Sequence, residues 1–96
     1  MSADESPEAG VPVFTPSDFG HAIRHVRKDR SLTQSAFAAE LGVSRKWLSE
    51  AERGKPGIEL GIALAVLREA GYMFVMVKRP EPEFDFEAHL QSLTED

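Results

Sequence analysis

Between positions 34 and 55 the chain groups side chains suited to gripping a polyanion and reading a base edge. They are Gln34 and Ser35, then Ser44, Arg45, Lys46, Trp47 and Ser49, then Arg53 and Lys55. Arg45 can fork onto O6 and N7 of a guanine; Lys46 can do the same or neutralise a phosphate, and the hydroxyls of Ser44 and Ser49 can donate or accept. The Trp47 ring can press on a sugar or a thymine methyl, or pack at the edge of a core. At the start of a helix, Gln34 and Ser35 would combine side chains with free backbone N–H groups to clamp a phosphate. Arg53 and Lys55 read as further phosphate contacts. Glu50 is a poor phosphate neighbour, able to accept from cytosine N4 or to pair with Arg53 or Lys46. Taken alone, such a charged stretch is equally an ordinary solvated helix face. The elements that position it must decide.

A start signal recurs three times. In Phe14-Thr15-Pro16-Ser17-Asp18-Phe19, Thr15 is placed to cap a helix, Pro16 to open it and Asp18 to reach back, with Phe14 stapled to Phe19. Thr33 repeats the scheme with Leu32 stapled to Phe37, and Ser44 repeats it with Val43 stapled to Leu48. The stops are a frayed end at Asp29-Arg30-Ser31, then Gly42 and Gly54. Only Gly42 and Val43 separate the stretch ending at Leu41 from the Ser44 cap, a connection tight enough to hold two helices at a fixed angle. This spacing predicts a helix-turn-helix from about Thr33 to Glu52. Its inner residues are Phe37, Ala38, Leu41, Val43, Leu48 and Ala51, and its outer face carries Arg45, Lys46, Ser49 and Glu50.

A fourth helix is predicted from Glu59 to Ala70, with Leu60, Ala63, Leu64 and Leu67 on its inner stripe and Ile62 and Val66 widening it. After Gly71, the run Tyr72, Met73, Phe74, Val75, Met76, Val77 is apolar on both alternating faces and rich in β-favouring types, and Lys78-Arg79-Pro80 closes it. It reads as a strand without a mate in the chain, because a lone strand cannot satisfy its own backbone groups. A second subunit paired about a two-fold axis is the simplest supplier. Continuation of the fourth helix is the alternative, which Gly71, the β-branched residues and Pro80 oppose.

The sequence has 96 residues, no cysteine and a net charge of −5. That length suits one domain with tails, organised as a flexible acidic arm (1–13), a folded domain (14–79) and an acidic tail (80–96). Without cysteine there is neither a disulfide framework nor a zinc finger, and a reducing cytoplasm fits. No run approaches the roughly 18 apolar residues of a membrane span, and the acidic start lacks a signal peptide's apolar centre, so a cytoplasmic protein is expected. The acidic average hides a segregation: residues 1–19 carry −4 and residues 80–96 carry −6, whereas residues 20–57 hold eight bases against four acids. A basic centre between acidic ends is an asymmetry that a nucleic-acid contact confined to the helix-turn-helix would explain. His21 and His25, four apart, lack a convergent third metal ligand, and neither a phosphate-binding glycine loop nor a catalytic set stands out. No cofactor, metal or enzymatic activity is expected.

At Leu32-Thr33-Gln34, Phe37-Ala38, Leu41-Gly42-Val43-Ser44, Leu48-Ser49 and Glu52-Arg53-Gly54-Lys55, with Ile23-Arg24 and Arg27 upstream, the sequence resembles the Xre/Cro family of helix-turn-helix regulators. The resemblance spans about Phe19 to Gly71. It implies a mainly α, lambda-repressor-like bundle, Gln34 on the phosphate backbone, positions 44 to 46 and 49 facing bases, and an Arg27–Glu52 ion pair between the first and third helices. Ala51 departs from the larger aliphatic residue usual there, which bears on packing near Phe37 and Trp47. Glu52-Arg53-Gly54-Lys55-Pro56, a helix, Ala70-Gly71-Tyr72 and an apolar strand further resemble the HipB-like antitoxin branch. That branch implies a C-terminal strand forming an intersubunit sheet, a homodimer on a palindromic operator in double-stranded DNA near its own promoter, and a HipA-like kinase toxin as partner.

The acidic tail is interrupted by Phe84, Phe86, Leu90 and Leu93, the last three spaced as one face of a short helix. It reads as a segment that orders on a protein partner or folds back on its own dimer, with a disordered solvating tail as the alternative. Two other functions stay open on these residues: a solitary regulator with the same DNA chemistry and no toxin, and an interaction module that has lost DNA binding, toward which the acidic ends and Glu50 point.

Overall fold

A computed structural model describes residues 10–79 and Leu93. Four helices follow in order: α1 (Pro16–Asp29), α2 (Gln34–Leu41), α3 (Arg45–Glu52) and α4 (Leu60–Glu69). The three caps form as their sequences dictate. Thr15 Oγ1 accepts from the Asp18 N–H at 3.1 Å, Thr33 Oγ1 from Ala36 at 3.1 Å and Ser44 Oγ from Trp47 at 2.9 Å. Asp18 completes a capping box and goes one residue further, its Oδ2 accepting from both Phe14 N (2.9 Å) and Thr15 N (3.1 Å). Those N–H donors hold the Asp18 carboxyl below its ordinary value, the Phe14 bond contributing most. The Phe14–Phe19 staple, in contrast, gives way. Phe14 is 68% exposed, and the Phe19 ring lies 6.0 Å from that of Phe74.

All four helices end in one geometry. The N–H one residue past the left-handed position reaches back to close a six-residue turn, and the left-handed residue closes a tighter one inside it. The outer bonds are Leu32 to Arg27, Val43 to Ala38, Lys55 to Glu50 and Tyr72 to Leu67; the inner ones are Ser31 to Lys28, Gly42 to Ala39, Gly54 to Ala51 and Gly71 to Arg68. Three of the four pivots are glycines, at φ 75°, 82° and 85°; the fourth is Ser31 at φ 55°. The end expected to fray at Asp29-Arg30-Ser31 is therefore closed.

The core is built from Phe37, Ile23, Leu48 and Val66, all fully buried, with Phe19, Val26, Ala38, Leu41 and Ala51 around them. α1 and α2 both pack on α3, and α4 lies against α2. Ala51 leaves no looseness, because α1 answers it with Gly20: a Cβ there would stand 2.3 Å from the Ala51 carbonyl oxygen. On α4 the buried residues are Ala63, Val66, Leu67 and Ala70, while Leu60 is 66% and Leu64 45% exposed. The helix is rotated from the stripe that the leucines predict. Two alanines at the contact admit a close approach that leucines would block.

Beyond Gly71 the chain runs on without a strand ladder among the described residues. Tyr72 packs against the core and Phe74 against Phe19, but Met73, Val75, Met76 and Val77 are exposed. The intersubunit sheet expected here needs a second chain. Of the apolar tail residues, Phe84, Phe86 and Leu90 lie outside the described residues, and Leu93 is helical and exposed.

Candidate nucleic-acid interface

The interface begins with how α3 is held. Gly42 turns the chain through the left-handed region, Ser44 caps the new helix, and Leu48, Ala51 and Glu52 bury its inner face. Residues one and two positions into the helix then face outward, so Arg45 and Lys46 are exposed together with Ser44, and Ser49 is half-buried one turn on. Arg53 and Ser35 are also exposed. Trp47 is half-buried and packed against the core, so its ring serves the bundle and only an edge remains for a ligand.

Behind this surface lies a buried polar network. Arg27 Nε donates to Glu52 Oε2 at 2.7 Å, and its Nη2 donates to Glu52 Oε1 at 2.9 Å. Its Nη1 donates to the Leu32 carbonyl at 2.9 Å. The side chains are 10% and 4% exposed, so the two-pronged geometry stands in for the water both ions give up. The hydrogen bond to Glu52 raises the Arg27 guanidinium above its ordinary value despite burial. This is the ion pair that the family resemblance implies, and it ties α1 to α3. Gln34 was placed by sequence on a phosphate; its Nε2 donates to Glu52 Oε1 at 3.2 Å, which joins the start of α2 to the same carboxylate.

Two contacts escape sequence reasoning. Lys55, read as a phosphate contact, sends its Nζ to Glu50 Oε2 at 3.0 Å, so the Glu50 partner is Lys55 in place of Arg53 or Lys46. That bond is the main reason the Glu50 carboxyl lies below its ordinary value; the charges of Lys55, Lys46 and Arg53 add to it. A glutamate five residues before a lysine across a helix-ending glycine was a usable signal. Arg30 has none: its Nη2 donates to the Ala70 carbonyl at 2.5 Å, forty positions away, and its guanidinium stands 5.8 Å from the centre of the Phe37 ring. It closes the end of α4. Among the described residues no group of three His, Asp or Glu side chains is placed to hold a metal, and no helix is long and apolar enough to cross a membrane.

Comparison with known proteins agrees with this architecture. The family model for a helix-turn-helix domain matches residues 18–68. An uncharacterized HTH-type transcriptional regulator of Sinorhizobium fredii, y4mF, is 39% identical over 59 residues, which cover 62% of this chain and 78% of the relative. Among solved structures, a chain of the HipA-HipB-O2-O3 complex superposes with a TM-score of 0.64 at 19% identity, over 72% of this chain and 97% of that one. A chain of the HipB-O4 20mer complex gives the same TM-score, identity and coverage. At that identity the likeness is one of fold. With the capped turn, the Gly42 pivot and the family match in agreement, the chain belongs to the helix-turn-helix family of transcriptional regulators and has the backbone fold of HipB.

Proposed function

We propose that the protein is a dimeric, sequence-specific DNA-binding repressor of the HipB-like antitoxin kind, which reads a palindromic operator beside its own gene and neutralises a HipA-like kinase. The observation that carries the DNA reading is the outer face of α3, where Arg45 and Lys46 stand exposed on a helix fixed at both ends. A helix of this kind fits the major groove with its first turn nearest the base edges. In the bound state Arg45, Lys46, Ser44 and Ser49 face bases, Trp47 offers its edge, and Ser35, Gln34, Arg53 and Lys55 meet the backbone. The exposed apolar run from Met73 to Val77 supports the dimer: pairing it with a second copy supplies the missing ladder and covers those side chains. Two copies of α3 would then enter successive major grooves roughly 34 Å apart.

The kinase partner rests on the fold shared with chains of HipB complexes, one of which contains HipA. Titration of the DNA upstream of the gene, with and without the product of the neighbouring gene, tests both halves. Steeply salt-dependent binding is expected, as is a loss of about 1–3 kcal/mol for Arg45→Ala, confined to one base pair of each half-site. Equal loss on every sequence would make Arg45 a backbone contact. Sedimentation of Val75→Asp should show monomer; an intact dimer would remove the sheet. A neighbouring product without effect on either binding or repression would support the second reading, a solitary regulator.

A further inference from the structure

Glu50 is the one acidic side chain on the outward part of α3, and the residue it holds is one of the cations on that surface. The Lys55 backbone N–H donates to the Glu50 carbonyl at 3.1 Å, and its Nζ donates to the Glu50 carboxylate at 3.0 Å. Both ends of Lys55 are therefore tethered to one residue. The turn between them is fixed as well: Gly54 sits at φ 82°, with the Ser17 side chain only 2.5 Å from where its Cβ would be. Lys46 lies one turn before Glu50 and Arg53 one turn after it, so three cations surround a single carboxylate on a surface meant for phosphates.

We propose that Glu50 is a specificity-determining residue that acts through Lys55, withholding this cation from the backbone of non-specific DNA and releasing it only in the docked operator complex. The inference rests on the DNA-binding reading above. An exposed pair of this kind is weak, so a phosphate brought into register by base contacts can take the lysine over. On a random duplex, where the protein does not settle in one register, no phosphate is held at that place and the pair stays closed. Sequence-independent affinity grows with each phosphate neutralised, whereas biological selectivity depends on the ratio of specific to non-specific binding. A brake on one cation raises that ratio without adding any base contact.

The test compares the wild type with Glu50→Gln, Lys55→Gln and the double variant on two duplexes of equal length, the upstream region and a random sequence, across a salt series. Glu50→Gln should tighten binding to the random duplex by up to about fivefold per protomer at 0.1 M salt and steepen its salt slope by up to about 0.9 per protomer. Lys55→Gln should make the operator slope shallower by about the same amount and change the random-duplex slope much less. In the double variant the gain on random DNA should vanish. An unchanged random-duplex slope in Glu50→Gln overturns the proposal. So does a gain that survives in the double variant, because Glu50 would then act by its own charge; so does a loss of discrimination at a single base pair, because Glu50 would then read a base itself. Wild-type protein that binds neither duplex at low salt would instead refute the DNA-binding reading, a separate outcome.

Discussion

Ser31→Gly should stabilise the protein, although the residue touches no ligand and lies on the surface. The reason is the repeated helix ending. At Gly42, Gly54 and Gly71 the left-handed pivot costs little, since glycine has no Cβ to strike the following carbonyl. Ser31 adopts the same turn at φ 55°, where an L-residue bears about 1–2 kcal/mol of strain. Glycine removes that strain but adds freedom to the unfolded chain, worth about 0.4–1 kcal/mol in the other direction. The net gain is about 0.5–1 kcal/mol, a rise in Tm of about 2–8 °C for a domain of this size. The structure supplies its own controls. A Cβ at Gly42 or Gly71 meets nothing within 4 Å, so Gly42→Ala and Gly71→Ala report backbone strain alone and should each cost about 1 kcal/mol. Gly54→Ala adds a collision with the Ser17 Oγ and Cα and should cost more. Urea unfolding of the four variants measures all of this. If Ser31→Gly destabilises while Gly42→Ala behaves as stated, the Ser31 side chain is contributing something beyond the turn, and the strain argument fails.

Gly20→Ala should be among the most damaging small substitutions, about 3 kcal/mol or more, because its Cβ would stand 2.3 Å from the Ala51 oxygen and 2.9 Å from that of Glu52. A melting temperature within a degree of wild type would show that α1 and α3 separate easily. Glu52→Gln leaves Arg27 buried opposite a neutral amide, with its partner's charge gone, and should cost about 3 kcal/mol, read from the urea midpoint; replacement of the whole pair by apolar residues should cost much less. Acid unfolding should depend on Asp18. Its folded pKa lies below the ordinary value of 3.8, so its contribution is complete above about pH 4 and is lost as pH falls through the folded value. Asp18→Asn should flatten the stability profile in that window; an unaltered profile would assign the acid sensitivity elsewhere.

What the sequence made legible was local. Caps and pivots are decided within four or five residues, so Thr15, Thr33, Ser44, Gly42 and Gly54 announced three helices and the turn. The pivot at Ser31 was missed because serine in the left-handed region has no compositional mark. On α4 the stripe correctly held Ala63, Val66 and Leu67, but hydropathy also drew Leu60 and Leu64 inward and passed over Ala70, whereas packing depends on how near α2 can come. Of the candidate site, Arg45 and Lys46 came out exposed as expected, since a cap fixes which residues of the first turn face out. The Gln34–Glu52 and Arg30–Ala70 bonds join positions 18 and 40 apart and follow from tertiary placement alone.

An eight-residue helix would not persist in water by itself, because nucleation outweighs so few backbone bonds. α3 persists because Leu48 and Ala51 anchor its inner face, Ser44 caps one end and the Gly54 pivot closes the other. Its two carboxylates extend this order outward. Glu52 holds Gln34 on one flank, so that candidate backbone contact is already oriented by the helix that carries Arg45, while Glu50 keeps Lys55 back on the other. Ordering such side chains at the moment of association would cost about 0.5–1.5 kcal/mol each. Arranged this way, much of that cost is met in folding, and the salt-dependent grip on phosphate becomes coupled to the position of the reading helix.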